Sequence, residues 1–388
     1  MQIKEKLKNK EDISIQIFSN IALIDAVQWN TIFEALAFYQ RHEFLSAIES
    51  IQQNLEFRYV LVFKDEKLIA AVYMQLLDFS FRNLVHYGTE KSSNVSKKIK
   101  QYIAAKSTKL LHLGNVFFTG DKGIITNDDT LVLEILPEIL KKVRTSFQFK
   151  KPTAYLISNI TLKEENKCNY IGNNAFHAFT TEPDMYLKLH ENWHSFDDYL
   201  NTLSSKYRVR AKKIFQTSYD IISKELSLTD IEIEKQNLEK LYNNVVNHVA
   251  FNMAVLNIDF FNKMKAIYKE QCKIIAYYLG EKQVGFACVF LVDTAVVHVH
   301  YIGLDYDINK QYKLYNRMLL DFVRLGIENN KKAIHFGRTA TEIKTTIGAE
   351  PTVLKAYLKM KNPLFNAALP YFLKRIRPTE YIVRNPFK

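Results

Sequence analysis

Two histidines stand two residues apart in the segment VVHVHYI, residues 296–302. The segment has the β-branched composition of a strand, so His298 and His300 are predicted to lie on one face of it. Paired imidazoles can hold a metal ion or exchange protons near neutral pH. A metal needs at least three protein ligands, and beyond His335 no carboxylate or thiol pattern completes such a site. We therefore predict no metal site, and His300 is either a base or substrate contact or a packed histidine.

Further polar side chains follow this segment closely in the sequence, at Tyr301, Asp305, Tyr312 and Tyr315. A tyrosine can protonate a leaving group when it is held beside one. The alternative for each tyrosine is that it simply packs in the core, with its hydroxyl group at a polar edge. The spacing makes these four residues candidates for a site near the end of the predicted strand.

A basic cluster is predicted at the start of a helix and consists of Lys206, Arg208, Arg210, Lys212 and Lys213. Helical spacing places Lys206, Arg210 and Lys213 near one face. The planar guanidinium group matches phosphate oxygens well, so the cluster can bind an anionic substrate, with Tyr207 among its members. The alternative is an ordinary solvated helix face.

Arg338 directly follows a predicted strand over residues 333–337, in a loop where α/β sheets commonly present functional groups. Lys344 lies six residues further on. Gly337 allows the main chain to approach a ligand closely at this point. The passage is therefore a second candidate for chemistry.

The elements that must position these residues occur twice in the same order. Each half contains a tryptophan, a β-hairpin, an amphipathic helix, a β-run and an Ile-Gly pair. The matching pieces are Trp29 and Trp193, hairpins at 59–72 and 273–290, helices at 131–143 and 314–327, β-runs at 154–157 and 333–336, and the pairs ending at Gly172 and Gly348. This order predicts two α/β (α+β) units, each a mixed, mostly antiparallel sheet flanked by helices.

The repeat also predicts the division of the chain into domains. A polar tail at 1–12 precedes an N-terminal domain at 13–180 and a C-terminal domain at 181–388. The second domain has a longer stretch between its tryptophan and its hairpin, which we interpret as an insertion of extra helices at about 204–271.

Composition narrows the class of protein. The chain has 388 residues, of which 47% are hydrophobic and 24% charged, as in ordinary globular proteins. No apolar run approaches the roughly 20 residues that cross a bilayer, and the polar start lacks a signal peptide, so we expect a cytoplasmic protein. The widely spaced Cys168, Cys272 and Cys288 exclude a disulfide framework.

The net charge of +12 favours an anionic partner: a phosphate-bearing substrate, tRNA, an acidic carrier protein or a lipid surface. No helix-turn-helix or zinc pattern accompanies it, so a sequence-specific DNA-binding protein is not expected. The oligomeric state does not follow from the sequence.

The stretch FDDYLNTLSSKYRVR at 196–210 resembles the opening of FemAB-like and related Acetyltransf_6-type domains of the GNAT acyltransferase superfamily. In these domains an Asp/Glu-Tyr-Leu helix runs into Ser-x-Lys-x-Arg. The passage IHFGR at 334–338, followed by Glu342, Lys344 and Gly348, is similar to the strand, loop, lysine and glycine that end them. The resemblance covers about residues 185–359, and the first half shows it more faintly.

The resemblance implies tandem GNAT-like domains, with the active site in the second and a degenerate first, that transfer an acyl or aminoacyl group to an amine. The best-known members extend peptidoglycan cross-bridges from aminoacyl-tRNA, and others use acyl thioesters. No tightly bound cofactor is implied, and the donor is acyl-CoA, acyl carrier protein or aminoacyl-tRNA. The implied acceptor is an anionic or lipid-linked cell-wall precursor, glycan, amino sugar or aminolipid.

One departure concerns the donor. Members of the superfamily that bind acetyl-CoA carry a glycine loop whose amides hold the pyrophosphate. The corresponding segment GLDYDINK, residues 303–310, has two carboxylates and no glycine pair, which argues against ordinary CoA binding. The alternative function is a catalytically degenerate double-GNAT protein that binds a ligand or RNA.

The resemblance also assigns roles to the candidate residues. It places Lys344 near the transferred group, and the main-chain N–H groups of the strand at 296–302 near the developing oxyanion. The expected catalytic residues are Lys344, Arg338, Tyr301, His300 and Asp305, and the expected substrate-binding residues are Lys206, Tyr207, Arg208, Arg210, Tyr312 and Tyr315. The first domain is expected to lack a counterpart site.

The C-terminal segment at 363–377 mixes apolar and basic residues. We expect it to dock onto a sheet, and the alternative is a peripheral contact with a membrane surface, which suits a lipid-borne acceptor.

Overall fold

The computed structural model describes residues 2–7, 10–32, 36–80, 107–148, 150–161, 171–249, 252–374, 376 and 378–388. Cys168, part of the prediction on cysteines, lies outside these ranges. Cys272 and Cys288 are buried free thiols.

By its contacts the chain forms two compact units. The first is Met1–Thr181 with Ala250–Leu256 and Val353–Pro378, and the second is Glu182–Val249 with Asn257–Thr352 and Thr379–Lys388.

The elements of the described residues are numbered in chain order. The strands are β1 Gln2–Leu7, β2 Lys10–Phe18, β3 Glu56–Lys64, β4 Lys67–Ser80, β5 Ser107–Leu113, β6 Ile124–Thr126, β7 Ala154–Thr161, β8 His177–Thr180, β9 Asp184–Lys188, β10 Ile221–Glu225, β11 Cys272–Leu279, β12 Lys282–Phe290, β13 Val296–Leu304, β14 Ala333–His335, β15 Glu350–Thr352 and β16 Leu354–Met360. The helices are α1 Ala26–Asn30, α2 His42–Ile51, α3 Asp129–Thr145, α4 Phe196–Thr202, α5 Ser205–Thr217, α6 Leu228–Ile233, α7 Lys235–His248, α8 Asp259–Tyr268, α9 Tyr306–Tyr312, α10 Leu314–Glu328, α11 Thr341–Thr345 and α12 Pro363–Leu373.

The sheet of the first unit has the strand order β1-β2-β3-β4-β5-β7-β16-β8, with β6 paired to β4. Neighbours are antiparallel except β5 and β7, which run parallel and are separated in the chain by α3. Helix α3 begins where the Asp128 side chain accepts a hydrogen bond from the Leu131 N–H. Its buried face, which includes Val132, Leu136 and Ile139, packs in the core of this unit.

The sheet of the second unit has the order β10-β11-β12-β13-β14-β9-β15. Again the neighbours are antiparallel except one pair, β13 and β14, and here α9 and α10 lie between the two strands in the chain. The hairpin β11–β12 turns at Gly280, whose φ of 59° suits a tight turn. The predicted architecture of two mixed, mostly antiparallel sheets with flanking helices is confirmed.

One strand lies far in sequence from the rest of its sheet. In the first unit β16, from the C-terminal part of the chain, pairs antiparallel with β7. In the second unit β9, the first strand of that unit, pairs antiparallel with β14, the last strand but one. The first sheet therefore depends on a strand from the C-terminal part of the chain, and the second is closed by its own first strand.

The predicted insertion at about 204–271 contains helices α5, α6, α7 and α8. It also contains strand β10, which pairs antiparallel with β11 and forms the edge of the second sheet. Helix α7 packs across β12 and β13, so this stretch covers the strands that carry the histidine pair.

The two tryptophans are both buried anchors of helical segments. The Trp29 indole N–H donates to the Gln40 main-chain oxygen at 2.8 Å, and its ring meets Tyr59 edge to face. Trp193 meets Tyr199 in the same manner. The equivalence of these tryptophans, the domain boundary near residue 180 and the insertion stay predictions, because pairing and burial do not by themselves establish a superposition.

Candidate active site in the second unit

The parallel strands β13 and β14 separate at the position of two histidines. Their ladder pairs Val296 with Ala333, Val297 with Ile334 and His298 with His335, where β14 ends. Strand β13 continues to Leu304, whereas Phe336 extends the pairing with β9 and donates its N–H to the Met185 oxygen at 2.8 Å. Beyond His298 the ladder between β13 and β14 therefore stops.

A β-bulge lies on the other side of β13 at the same level. Val299 is paired with Val289 and Tyr301 with Cys288, so His300 is the extra residue. A bulge interrupts the ladder and re-aims main-chain N–H groups and side chains. The N–H groups of this strand are the predicted oxyanion contact. They lie where the ladder to β14 stops and where the bulge interrupts the ladder to β12.

The side chains at the bulge are packed among aromatic rings. His300 lies 5.7 Å from the ring centre of Phe260, and Tyr301 meets Tyr242 edge to face at 5.5 Å. Burial lowers the pKa of His300 well below its ordinary value, helped by the charges of His298 and His335. Burial raises the pKa of Tyr301, so its hydroxyl keeps its proton. At neutral pH the bulge therefore offers a neutral imidazole and a protonated phenol.

The loop after β14 has an unusual main chain. Gly337, Thr339 and Ala340 have φ angles of 65°, 66° and 48°. For Thr339 and Ala340 this left-handed region is strained, and such strain persists only where the surroundings hold it.

Lys344 is one of the groups that hold this loop. Its ammonium group donates to the main-chain oxygens of Phe336 at 2.9 Å, Gly337 at 3.1 Å and Arg338 at 2.7 Å. The side chain is 3% exposed, and burial lowers its pKa to about 7, against the raising effect of the charge of Asp184. Lys344, which was expected near the transferred group, therefore donates all three of its N–H hydrogens to the loop that carries Arg338. These contacts make it a positioning residue for that loop.

Asp184, the first residue of β9, is the buried carboxylate opposite these cations. One of its oxygens lies 3.4 Å from His335 Nε2 and 3.8 Å from Arg338 Nε. Burial raises the pKa of Asp184, but the hydrogen bond from His335 and the charges of His335, Arg338 and Lys344 outweigh it, so the pKa is lowered. The carboxylate is thus ionised and neutralises the loop.

The two strand-end histidines contact each other through Nδ1 atoms 3.4 Å apart. Outward from this contact, His335 Nε2 faces Asp184, and His298 Nε2 lies 3.9 Å from Asp293. A ring–ring hydrogen bond needs one donor and one acceptor. In this contact one ring therefore presents Nδ1–H and the other a bare Nδ1.

The segment in the position of a phosphate loop forms helix α9 with a carboxylate cap. Asp305 accepts from the N–H groups of Asp307 and Ile308, both at 3.2 Å, and pairs with Lys282 at 2.7 Å. Burial raises the pKa of Asp305. The charge and hydrogen bond of Lys282 and these two N–H groups lower it by more, so the net pKa shift is downward. Because the carboxylate already occupies the free amides of this helix, they do not offer a cradle for pyrophosphate.

Tyr312 and Tyr315, also predicted to bind substrate, pack against the core of the second unit. Burial raises the pKa of Tyr315, and its main-chain N–H donates to Asn309 at 2.8 Å.

The C-terminal residues connect the basic helix with the loop. The Ser204 N–H, at the start of α5, donates to the Pro386 oxygen at 2.8 Å. Arg384 binds Glu342 of α11 through two nitrogens, at 2.5 and 3.1 Å. Phe387 fills the space above Gly348, where an added Cβ would lie 2.3 Å from its ring. Residues 384–387 therefore fasten α5 to the segment that contains Lys344.

Within the basic cluster the side chains differ in exposure. Lys206 and Arg210 are exposed, whereas Tyr207 and Arg208 are half-buried. Arg208 contacts the Leu203 oxygen at 3.5 Å, and the Lys206 ammonium lies 5.7 Å from the Tyr207 ring centre.

The structure thus brings together Lys344 and Arg338 in one loop, and His300 and Tyr301 at the bulge of the neighbouring strand. Asp305, Tyr312 and Tyr315 lie after the far end of β13, with Asp305 capping a helix.

The sequence reasoning missed Asp184 and Arg384, because each is separated from its partners by some 40 to 150 residues and no local pattern marks it. Among the described residues, no group of three or more histidine, cysteine or acidic side chains is arranged to hold a metal.

The parallel pair of the first unit, β5 and β7, ends at a loop of that unit. Asp121, fully buried, accepts from the N–H groups of Asn115 and Gly123 at 2.9 and 3.0 Å and from the Tyr73 hydroxyl. The Asn159 amide, on β7, donates to the Asp121 main-chain oxygen. The loop after β5 therefore links the ends of this parallel pair.

Gly303 lets α7 approach β13. A Cβ there would lie 2.2 Å from the Phe286 ring and 2.9 Å from the main chain of Leu241. We therefore expect Gly303→Ala to cost about 1–3 kcal/mol in the free energy of unfolding, as overpacking does. Gly172→Ala is the control, because nothing lies within 4 Å of the added group. Urea denaturation would measure both, and equal stabilities would contradict the close approach.

Two mixed sheets, each with one parallel pair, and a bulged strand that diverges from its neighbour are the architecture of a tandem GNAT-like protein. Solved structures of similar fold include FemX, with a TM-score of 0.54 and 9% identity, covering 89% of this chain and 98% of that one. A tandem GNAT protein from the clavulanic acid biosynthesis pathway has a TM-score of 0.52 and 7% identity, covering 90% and 99%. Among curated proteins none matches the sequence.

The family follows from the sequence itself. The sequence model of the FemAB-like family, described as peptidoglycan biosynthesis/recognition, matches residues 143–384. The chain belongs to the FemAB-like family, and the predicted resemblance is confirmed. This places it in a family of peptidoglycan-related acyl and aminoacyl transferases. No helix in the described part of the chain has the length and apolar character needed to span a bilayer.

Proposed function

We propose that this protein is an N-acyl or aminoacyl transferase whose reaction takes place where β13 and β14 diverge. The observation that carries the proposal is the coincidence, within the second unit, of this divergence with the bulge at His300 and the loop held by Lys344. Main-chain N–H groups at a strand irregularity can stabilise an oxyanion without any particular side chain. The first unit holds Asp121 at the end of its own parallel pair, which favours the second unit as the only site of transfer.

The proposed reaction is attack by an amine on the carbonyl carbon of an activated donor. A C–N bond forms, and the C–O bond of an ester or the C–S bond of a thioester breaks. The N–H groups at 299–301 stabilise the negative charge on the carbonyl oxygen, and Arg338 adds a positive charge nearby. Tyr301 keeps its proton and can deliver it to the leaving group. The amine proton passes to the histidines of β13 and β14.

The donor is proposed to be aminoacyl-tRNA or an acyl carrier protein in preference to acyl-CoA. The cap of α9 by Asp305 argues against a pyrophosphate cradle, since the amides of Asp307 and Ile308 are already taken. The basic cluster on α5 and the net charge of +12 suit an anionic donor or acceptor. No tightly bound cofactor takes part in the proposed reaction.

The acceptor is proposed to be an anionic, amine-bearing cell-wall precursor, with a glycan, an amino sugar or an aminolipid as related possibilities. If the precursor is lipid-linked, the protein acts in the cytoplasm at the inner face of the membrane. The second candidate is a degenerate double-GNAT protein that binds such a ligand or RNA. The packing of His300 and Tyr301 among aromatic rings favours this candidate.

Two measurements on the full chain test the proposal. Native mass spectrometry of freshly purified protein identifies a co-purified donor or acceptor. Transfer of labelled acyl groups from aminoacyl-tRNA, acyl carrier protein and acyl-CoA is then assayed against an amine-bearing cell-wall precursor, an amino sugar and an aminolipid. Multiple turnovers with one pair support the transferase. Tight binding with no transfer from any donor contradicts it and supports the binding protein.

The basic cluster is tested separately. If Arg208 and Arg210 hold phosphate groups, replacing both by Ala weakens ligand binding by tenfold or more, because each charge-assisted bond is worth about 1.5–3 kcal/mol. Lys240→Ala, at an exposed position of α7 outside the cluster, is the control. Calorimetry with the ligand identified above measures the affinities, and a change of less than about threefold in the double variant indicates an ordinary solvated face.

A further inference from the structure

Helix α12 presents two different apolar faces. Its inner face packs on β8 and β16 of the first unit through Leu369, Leu373 and Asn366, whose amide donates to the Ala175 oxygen at 3.0 Å. This docking agrees with the expected role of the segment and fixes which way the helix is turned. The remaining side chains are thereby directed away from the sheet.

The outer face is also apolar. Leu364 is 83% exposed, Phe365 46% and Tyr371 58%, with the exposed Ala367 and Ala368 between them. The spacing of 364, 367, 368 and 371 is that of a single helical face. Neither face of the helix carries a charged residue, since its sequence is PLFNAALPYFL. A contiguous exposed apolar face of this kind marks an interaction surface.

The charged residues of this segment of the chain have one sign. The segment Val353–Pro378 contains Lys355, Lys359, Lys361, Lys374, Arg375 and Arg377 and has neither aspartate nor glutamate. Lys361 lies two residues before the helix and Lys374 directly follows it, and both are exposed. An apolar helix face with cations at both ends matches a bilayer whose headgroups are anionic, because the apolar groups enter the interface while the cations meet phosphates.

We propose that α12 docks the protein on an anionic membrane surface, with Leu364 and Phe365 entering the interface and Lys361 and Lys374 contacting lipid phosphates. A helix of 11 residues is about 16 Å long, which suffices to lie flat on a bilayer and is too short to cross it. A protein partner would need acidic groups at both ends of the helix, whereas an anionic bilayer presents phosphate groups over its whole surface. The proposal does not depend on the transfer reaction, although it would bring the protein to a lipid-linked acceptor.

The test is flotation of the full chain with phosphatidylcholine vesicles that contain either no phosphatidylglycerol or 30% of it. We expect binding to the anionic vesicles to exceed binding to the neutral ones by about tenfold or more, and to fall at high salt. Leu364→Ser with Phe365→Ser should lower binding to the anionic vesicles by about tenfold. Lys361→Gln with Lys374→Gln should remove most of the preference for phosphatidylglycerol.

The control is Ile222→Ser with Ile233→Ser, two comparably exposed apolar residues of the second unit, 69% and 74% exposed. This variant should bind as the unaltered protein does. Unchanged flotation of the Leu364/Phe365 variant, or no flotation of the unaltered protein with anionic vesicles, overturns the proposal. So does a dimer in solution that the same substitutions dissociate, because the face then binds a second copy. Transfer to a soluble acceptor should be the same in all these variants, which separates this proposal from that of the reaction.

Discussion

Replacing Asp184 by Asn is expected to lower the free energy of unfolding by about 3–5 kcal/mol, the cost of removing one partner from a buried charge cluster. The carboxylate is 1% exposed and lies between His335 and Arg338, with the charge of Lys344 also acting on it. The amide has nearly the same shape, so the loss is one of charge. Without the carboxylate, buried cations remain uncompensated beside a strained loop.

Chemical denaturation at pH 7 measures this change, and Asp259→Asn is the control. Asp259 pairs with Lys235 at 2.5 Å, but its side chain is 45% exposed, so its loss should cost less than about 1 kcal/mol. The pKa of Asp184 is lowered from its ordinary 3.8, so its contribution is present above that pH and is lost as the pH falls through the lowered value. Equal stabilities of the two variants at pH 7 would contradict the role of Asp184 in neutralising the loop.

Lys344→Met is expected to lower the rate of transfer by about 100- to 1000-fold, as the loss of a preorganised electrostatic group does. The variant keeps the length of the side chain but removes three hydrogen bonds to residues 336–338, so the loop no longer presents Arg338. The effect should fall on kcat, because the proposed role of the residue is to position the loop that carries Arg338. Lys332→Met, at an exposed position four residues before the loop, is the control.

The same variant has a characteristic dependence on pH. Burial lowers the pKa of Lys344 to about 7 from an ordinary 10.5, so the unfolded chain binds more protons than the folded one between these values. The stability of the unaltered protein, relative to Lys344→Met, should therefore rise from pH 7 to pH 10 by up to about 4 kcal/mol, at about 1.4 kcal/mol for each pH unit. A difference that is constant with pH would show that the lysine titrates as a solvated group. A folded variant with unaltered turnover would remove Lys344 from the site.

Local elements of the fold could be predicted closely from the sequence. The helices expected at 131–143 and 314–327 lie within α3 and α10 as Asp129–Thr145 and Leu314–Glu328. The hairpin expected at 59–72 is formed by β3 and β4, and the turn between them has Asp65 and Glu66 at positive φ. These elements are specified by periodicity and by turn residues a few positions apart, which is the information that a single sequence carries.

The pairing partners of β9 and β16 could not be predicted in this way. A strand of five to seven residues has an alternating pattern that suits either sheet, and β16 pairs with β7 across some 200 residues of chain. The same separation hid Asp184, whose partners His335 and Arg338 become neighbours only because β9 lies beside β14. Tertiary pairing, and no local preference, decides both features.

The position of the candidate site stays a prediction, and the contacts of its residues could not be read from the sequence. The strand at 296–302 pairs with the strand that precedes Arg338. The spacing of residues in the sequence did not reveal that Asp305 caps a helix, or that the Lys344 ammonium group donates to main-chain oxygens. Such roles depend on which backbone groups are left without partners after folding.

Hydrogen–deuterium exchange of the full chain, with and without the donor identified by mass spectrometry, tests the central claim most directly. If transfer takes place where β13 and β14 diverge, the bound donor protects amides at 299–304 and at 336–344, and leaves the Asp121 loop at 114–123 unchanged. The part of β13 beyond its ladder to β14 is the part whose exchange should slow most. Protection confined to the first unit, or to α5 without β13, would contradict the assignment of the site.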